Sequence, residues 1–177
     1  RDPQRRIAAS RALRRARPVQ AIPAFLRAMR DPEPAVREAV TEALAEIGHP
    51  ALEGLVEALS TQDASLQHYA AIALGRIGDP AAAQHLAAVI SMNRCTSEEY
   101  PLPLQAARAA AYALHSLLRS RPESIPTEAL RQICDVPDVM VEKPSLKESQ
   151  AVATEIGLDC GLIRDLARQE LSRRHFS

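Results

Sequence analysis

The side chains that could bind a metal or act as nucleophiles are scattered along this chain. Five histidines and three cysteines occur among 177 residues. No two of them have the close spacing of a zinc site, and no histidine is followed by glutamate. A phosphate-binding loop and a dinucleotide fingerprint are also absent from the sequence. We therefore expect no catalytic residue, no metal and no cofactor. This pattern favours a non-catalytic protein and leaves enzymatic activity undecided.

The cysteines and the hydropathy pattern bear on location. Cys95, Cys134 and Cys160 are odd in number and far apart, as expected for small buried apolar residues in a reducing compartment. This favours the cytoplasm. No apolar run approaches the roughly 20 residues that a membrane span requires. Because the chain begins at Arg1 without an initiator methionine, we expect it to be a fragment of a longer chain.

The balance of charge along the chain suggests a polar surface that the total conceals. The 22 basic and 22 acidic residues cancel overall. Residues 1–30 nevertheless hold nine arginines and one aspartate, whereas residues 31–92 hold two arginines and nine acidic residues. A basic segment beside an acidic one predicts either an electrostatic partner or internal pairing between neighbouring elements.

An internal repeat decides which elements position these charges. At an offset of 30 the apolar, glycine and proline positions of residues 31–50 recur, with further copies upstream, downstream at an offset of 40, and faintly up to residue 157. The matched positions are Val36, Ala43, Leu44, Ile47, Gly48 and Pro50 with Leu66, Ala73, Leu74, Ile77, Gly78 and Pro80.

Each copy reads as two helices. Apolar residues recur at i, i+3, i+4 and i+7, which is a helical face. Asp31 is placed to cap the first helix of its copy, and Gly48 to end it. In the second helices, the constant offset places His85 where Leu55 stands, so we expect a partly buried histidine there. A helix pair this short cannot bury its apolar stripe alone, so the copies must stack. We expect an all-α fold, an α-solenoid of about five stacked helix pairs.

The run from Asp31 to Gly48, with Arg37 after the apolar residue that opens the helix, resembles a HEAT repeat of the short bacterial type, also found in phycobilisome lyase-like proteins. We expect residues 1–177 to form one such solenoid. Within it we expect well-matched repeats over 2–91, an insertion over 92–103, and divergent repeats over 104–134 and 145–174, with a terminal capping helix over about 159–174. The resemblance implies a bacterial scaffold protein, or alternatively a phycobilisome lyase-like role.

Internal pairing accounts for part of the charge pattern. The repeat alignment sets Arg11 beside Glu42 on adjacent first helices. It also sets Arg15 beside Glu46, and Glu46 beside Arg76. The resemblance further implies that Arg37 pairs with an aspartate of an inter-repeat turn, either Asp31 or Asp63. We expect these residues to be structural.

Other exposed side chains are candidates for binding a partner, which would be a second protein or another domain of the same polypeptide. They lie on the second helices, in the first repeat and on the edge made by the interruptions at 92–103 and 135–144. The candidates are Arg14, Arg17, Arg27, Glu53, Glu57, Tyr100, Leu102 and Met140. The sequence leaves open whether they are only solvated residues. Nucleic-acid binding through the arginine-rich first repeat is a second possibility.

Overall fold

The computed structural model describes residues 2–16, 19–93, 101–136 and 160–175. Helices account for most of these residues, and no strand occurs among them. The helices are α1 (Pro3–Ala16), α2 (Ile22–Ala28), α3 (Pro34–Ile47), α4 (Leu52–Leu59), α5 (Ala64–Ile77), α6 (Ala83–Met92), α7 (Pro101–Ser120), α8 (Thr127–Cys134) and α9 (Cys160–His175).

The helices stack as an α-solenoid. The first helices α1, α3, α5 and α7 pack on one another in chain order. Each second helix, from α2 to α8, packs against the first helix that follows it and against the neighbouring second helix. One continuous apolar core therefore runs from Ile22 to Ala167, and the expected all-α solenoid is confirmed.

Glycines end two of the first helices. Gly48 and Gly78 follow α3 and α5 and have φ values of 79° and 68°, a region that glycine adopts without steric cost. At the start of α5, the carboxylate of Asp63 accepts a hydrogen bond from the backbone N–H of Leu66. The expected cap by Asp31 is wrong. Glu33 occupies the cap position of α3, and no side chain caps that helix.

The second helices shift register by one residue after Gly78. Leu55 of α4 and Leu86 of α6 are fully buried in equivalent places, 31 residues apart. His85 is half-buried, as expected, but Leu86 and not His85 fills the place that corresponds to Leu55. The extra residue is Asp79, which lies between Gly78 and the 3₁₀ turn Pro80–Ala82, whereas the corresponding turn His49–Ala51 follows Gly48 directly.

The last helix closes the described array. α9 packs against α8 and α7, just as α7 packs against α6 and α5, so it lies in the place of a first helix. Arg174 secures it by donating hydrogen bonds to the carbonyls of Pro122 and Glu123, at 2.9 and 3.1 Å. The buried carboxylate of Glu170 accepts from Arg174 Nε at 3.1 Å.

Candidate partner-binding surface

Charged side chains of the first helices hold the inter-repeat turns. Arg6 of α1 forms a bidentate ion pair with Asp31. Its Nε and Nη2 donate hydrogen bonds of 2.7 and 2.8 Å to the two carboxylate oxygens. The hydrogen bond from Arg6 holds the pKa of Asp31 below its usual value. Arg37 does not pair with the carboxylate of Asp31, which was one of the two partners that the resemblance implied. Its Nη1 donates instead to the backbone carbonyls of Asp31 and Pro32, at 2.6 and 3.1 Å.

The turn before α5 is also stabilised by side chains, here by Arg30 with Asp63 and by the uncharged Gln67. Asp63 lies 3.6 Å from Arg30 Nε, across the two turns. Gln67, the counterpart of Arg37, is buried and donates to the carbonyls of Leu59 and Thr61 at 3.1 and 2.6 Å. The uncharged amide of Gln67 thus stabilises this turn through backbone carbonyls, as the guanidinium of Arg37 does in the preceding turn.

Part of the expected charge pairing between adjacent first helices lies within the described residues. Arg76 Nη1 stands 3.9 Å from Glu42 Oε1, and both side chains are about half exposed. Glu46 lines the same shallow groove as these two residues. An exposed pair of this kind contributes about 0–1 kcal/mol. The side chains of Arg11 and Arg15 lie outside the described residues.

The candidate residues of the second helices have a different environment. Arg27 of α2 and Glu53 and Glu57 of α4 are all exposed. Across the described parts of the chain, none of these three side chains has an ion pair or a hydrogen bond. The two helices approach closely because Gly54 leaves room for Leu26, whose Cδ1 would collide with a Cβ at that position. Three charges without partners among the described side chains therefore lie on adjacent second helices, and we name this surface the second-helix face.

The other partner-binding candidates lie outside the described residues or have undescribed side chains. These are Arg14, Arg17, Tyr100, Leu102 and Met140. Leu102 falls in α7, which begins at Pro101, so the last residues of the segment 92–103 are helical. The segment 137–159 is not described, and it includes the first part of the divergent repeat expected over 145–174.

Comparison with protein families agrees with this architecture. Residues 1–65 match the family model of HEAT repeats, and residues 66–92 match that of the PBS lyase HEAT-like repeat. The chain is a HEAT-repeat protein. A search of the curated proteins finds no significant match. The second match concerns the form of one repeat and does not favour a lyase role.

Two findings in the described residues of the HEAT array bear on metal binding and on thiol reactivity. No group of three histidine, cysteine or acidic side chains within them could hold a metal ion. Burial raises the pKa of the Cys134 thiol, which disfavours the reactive thiolate. None of these helices is long and apolar enough to cross a membrane.

One exposed aromatic side chain of the HEAT array was not among the candidates predicted from the sequence. Tyr112 of α7 is 67% exposed. The repeat offsets contain the signal, because they align Tyr112 with Ile72 and Glu42 on the outward side of the preceding first helices. Arg108 and Arg119 lie on the same helix, one turn before it and two turns after it.

Proposed function

We propose that this chain is a non-catalytic scaffold or adaptor module that binds a partner protein along the second-helix face. HEAT repeats generally mediate protein interaction. The observation that carries the proposal is that Arg27, Glu53 and Glu57 are exposed and have no side-chain partner among the described residues.

The contrast with the first helices supports this surface. There, the charges of Arg6 and Asp31 satisfy each other and hold a turn. Arg27 and Glu57 occupy equivalent positions of adjacent repeats, so their opposite charges form a pattern that a complementary surface can match. The partner would present acidic groups to α2 and basic groups to α4. It would be another protein, or another domain of the same longer polypeptide.

Reversal of both charges tests the surface. The variant Arg27→Glu/Glu57→Arg keeps the net charge and alters only exposed side chains, so the helical circular dichroism spectrum should be unchanged. The matched control, Arg5→Glu/Glu38→Arg, reverses two exposed charges of the first helices. Affinity purification with the full chain, quantified by mass spectrometry, should lose the partner with the first variant and retain it with the control. Equal recovery with both variants would contradict the proposal.

The loop edge is the second part of the proposed surface. We expect Tyr100, Leu102 and Met140 to add apolar contacts beside the charges of the second helices. Their combined replacement by serine should weaken recovery of the same partner in that purification. A partner retained by this triple variant but lost with the charge reversal would restrict the surface to α2 and α4.

Nucleic-acid binding through the first repeat is less favoured by the described contacts. Arg6 is engaged by Asp31, and Arg30 lies within ion-pair distance of Asp63. Both cations are thereby offset by carboxylates. Binding to DNA or RNA that falls steeply as salt rises from about 50 to about 200 mM would support this alternative. The cytoplasmic location and the bacterial origin of the protein stay predictions.

A further inference from the structure

The outward side of α7 carries a group of residues that neither the repeat contacts nor the second-helix face explain. Arg108, Tyr112 and Arg119 follow one another at i, i+4 and i+11. At 1.5 Å per residue the two arginines lie about 16 Å apart along the helix, with the aromatic ring between them. We name these three residues, with His115 and Ser116, the α7 face.

The α7 face contains a shallow depression. Its volume is about 370 Å³, and α7 alone supplies the lining: Tyr112, His115, Ser116, Arg119 and Ser120. Burial, and next the charge of Arg119, lower the pKa of His115, so its ring is uncharged at neutral pH. The depression therefore combines an exposed aromatic ring, a neutral imidazole and one permanent cation.

The cations of this surface have no counter-charge among the side chains that the structure describes. Within the described ranges, Arg108 and Arg119 make no ion pair and no side-chain hydrogen bond. Neither α5 nor α7 contains an acidic residue. On the neighbouring α9, the carboxylates of Asp165 and Glu170 are already paired with arginines of their own helix.

We propose that the α7 face binds an acidic segment of another protein, whose carboxylates meet Arg108 and Arg119 while an apolar side chain packs on Tyr112. Arginine and tyrosine are among the residue types that most often dominate the binding energy of protein interfaces. The two arginines require negative charges on the segment, spaced about 16 Å apart. The ring of Tyr112 supplies an apolar contact between these charges.

A long polyanion fits this surface less well than a short acidic segment. The first helix α3, separated from α7 only by α5, carries Glu38, Glu42 and Glu46 on its exposed side. A nucleic acid extended across the first helices would meet these carboxylates, and repulsion would oppose its binding. An acidic segment that runs along α7 avoids them.

A labelled peptide tests the proposal. The probe is a fluorescein-labelled helical peptide of about 15 residues, with glutamate pairs near both ends and leucines in the centre. A matched peptide has glutamine in place of every glutamate. Fluorescence anisotropy at about 50 mM salt should detect binding of the glutamate peptide and much weaker binding of the glutamine peptide.

Variants of the chain locate the binding. We expect the affinity for the glutamate peptide to fall about five- to tenfold in each of three variants: Arg108→Gln, Arg119→Gln and Tyr112→Ala. Arg27→Gln, on the second-helix face, should bind it like the unaltered chain. All four substitutions are at surface positions, and equal melting temperatures would verify that each variant is folded.

Three results would overturn the proposal. They are no binding of the glutamate peptide at about 1 mM, equal affinity for the two peptides, or equal affinity of the α7 variants and the unaltered chain. A single-stranded oligonucleotide that binds more tightly than the glutamate peptide, and loses this binding in Arg108→Gln and Arg119→Gln, would make the α7 face a nucleic-acid site instead.

Discussion

Two contacts between first helices show two different ways to stack a repeat. Where α1 meets α3, the described buried side chains are Ile7, Val36 and Ala39, which form a small cluster separate from the main core. The ion pair of Arg6 and Asp31 supplements this cluster. Where α5 meets α7, Gly75 lies against Ala113, and Ala113 belongs to the main core.

The difference shows what each region requires of its residues. The contact of α5 with α7 depends on small side chains, because an atom added at Gly75 would lie 2.8 Å from Cβ of Ala113. The contact of α1 with α3 has little apolar area among its described side chains and depends in addition on a charged pair at the surface. Close packing is sensitive to volume, whereas a surface pair is sensitive to pH and salt.

The largest expected effect is that of Gly75→Val. The new side chain would collide with Ala113, whose Cα is backbone and lies 3.1 Å from the added Cβ. We expect a loss of about 2–3 kcal/mol in the free energy of unfolding, measured by urea denaturation. Ala113→Gly in the same chain should recover part of this loss by removing the methyl group in contact.

Ala88→Val is the control for this prediction. It introduces the same side chain on the exposed side of α6 and should change the stability by no more than about 0.5 kcal/mol. If Gly75→Val were as mild as this control, the contact of α5 with α7 would not depend on small residues, and the contrast between the two contacts would fail.

An intermediate effect is expected for Gln67→Leu. The substitution keeps the volume of the buried side chain approximately but leaves the carbonyls of Leu59 and Thr61 without their donor. The amide oxygen of Gln67 also accepts from Asn93 Nδ2 at 2.9 Å. We expect a loss of about 1–3 kcal/mol in urea denaturation. Gln62→Leu, at an exposed glutamine of the same turn, should be nearly neutral, and equal losses would show that the turn is not held by these bonds.

The smallest effect is expected for Asp31→Asn, and it should depend on pH. Because the folded chain lowers the pKa of Asp31, its carboxylate stabilises the fold above the ordinary pKa of aspartate, about 4. This contribution is lost as the pH falls through the lowered value. The variant should therefore be less stable than the unaltered chain at pH 7, and the two should converge in strong acid.

Glu38→Gln is the control for the charged pair. Glu38 is exposed on α3, and its substitution should not change the pH dependence of the urea midpoint. A difference between Asp31→Asn and the unaltered chain that persists in strong acid would mean that the effect of Asp31 does not come from its charge.

Much of the fold could be predicted from the sequence because periodicity is a local property. The spacing of Val36, Val40, Ala43 and Leu44 placed one face of α3 in the core, and all four are buried. The position of Leu86 could not be predicted in the same way. A single residue added after Gly78 shifts α6, and a constant repeat offset does not contain that insertion.

The partners of the charges were less predictable than the helices. Sequence alignment set Glu46 beside Arg76, and the structure brings Arg76 to 3.9 Å from Glu42 while Glu46 lines the same groove. Residues one turn apart compete for the same guanidinium, and their choice depends on rotamers and helix tilt.

The sequence by itself determined the all-α repeat architecture, the helix ends at Gly48 and Gly78, and the unequal distribution of a charge whose sum is zero. Only the tertiary structure decided which of these charges hold the array together and which remain exposed, as at Arg27 and Arg119. The physical reason is one of distance. Helical periodicity acts within a few residues of the same chain segment, whereas an ion pair or a close helix contact requires separate repeats to be placed to within about 1 Å.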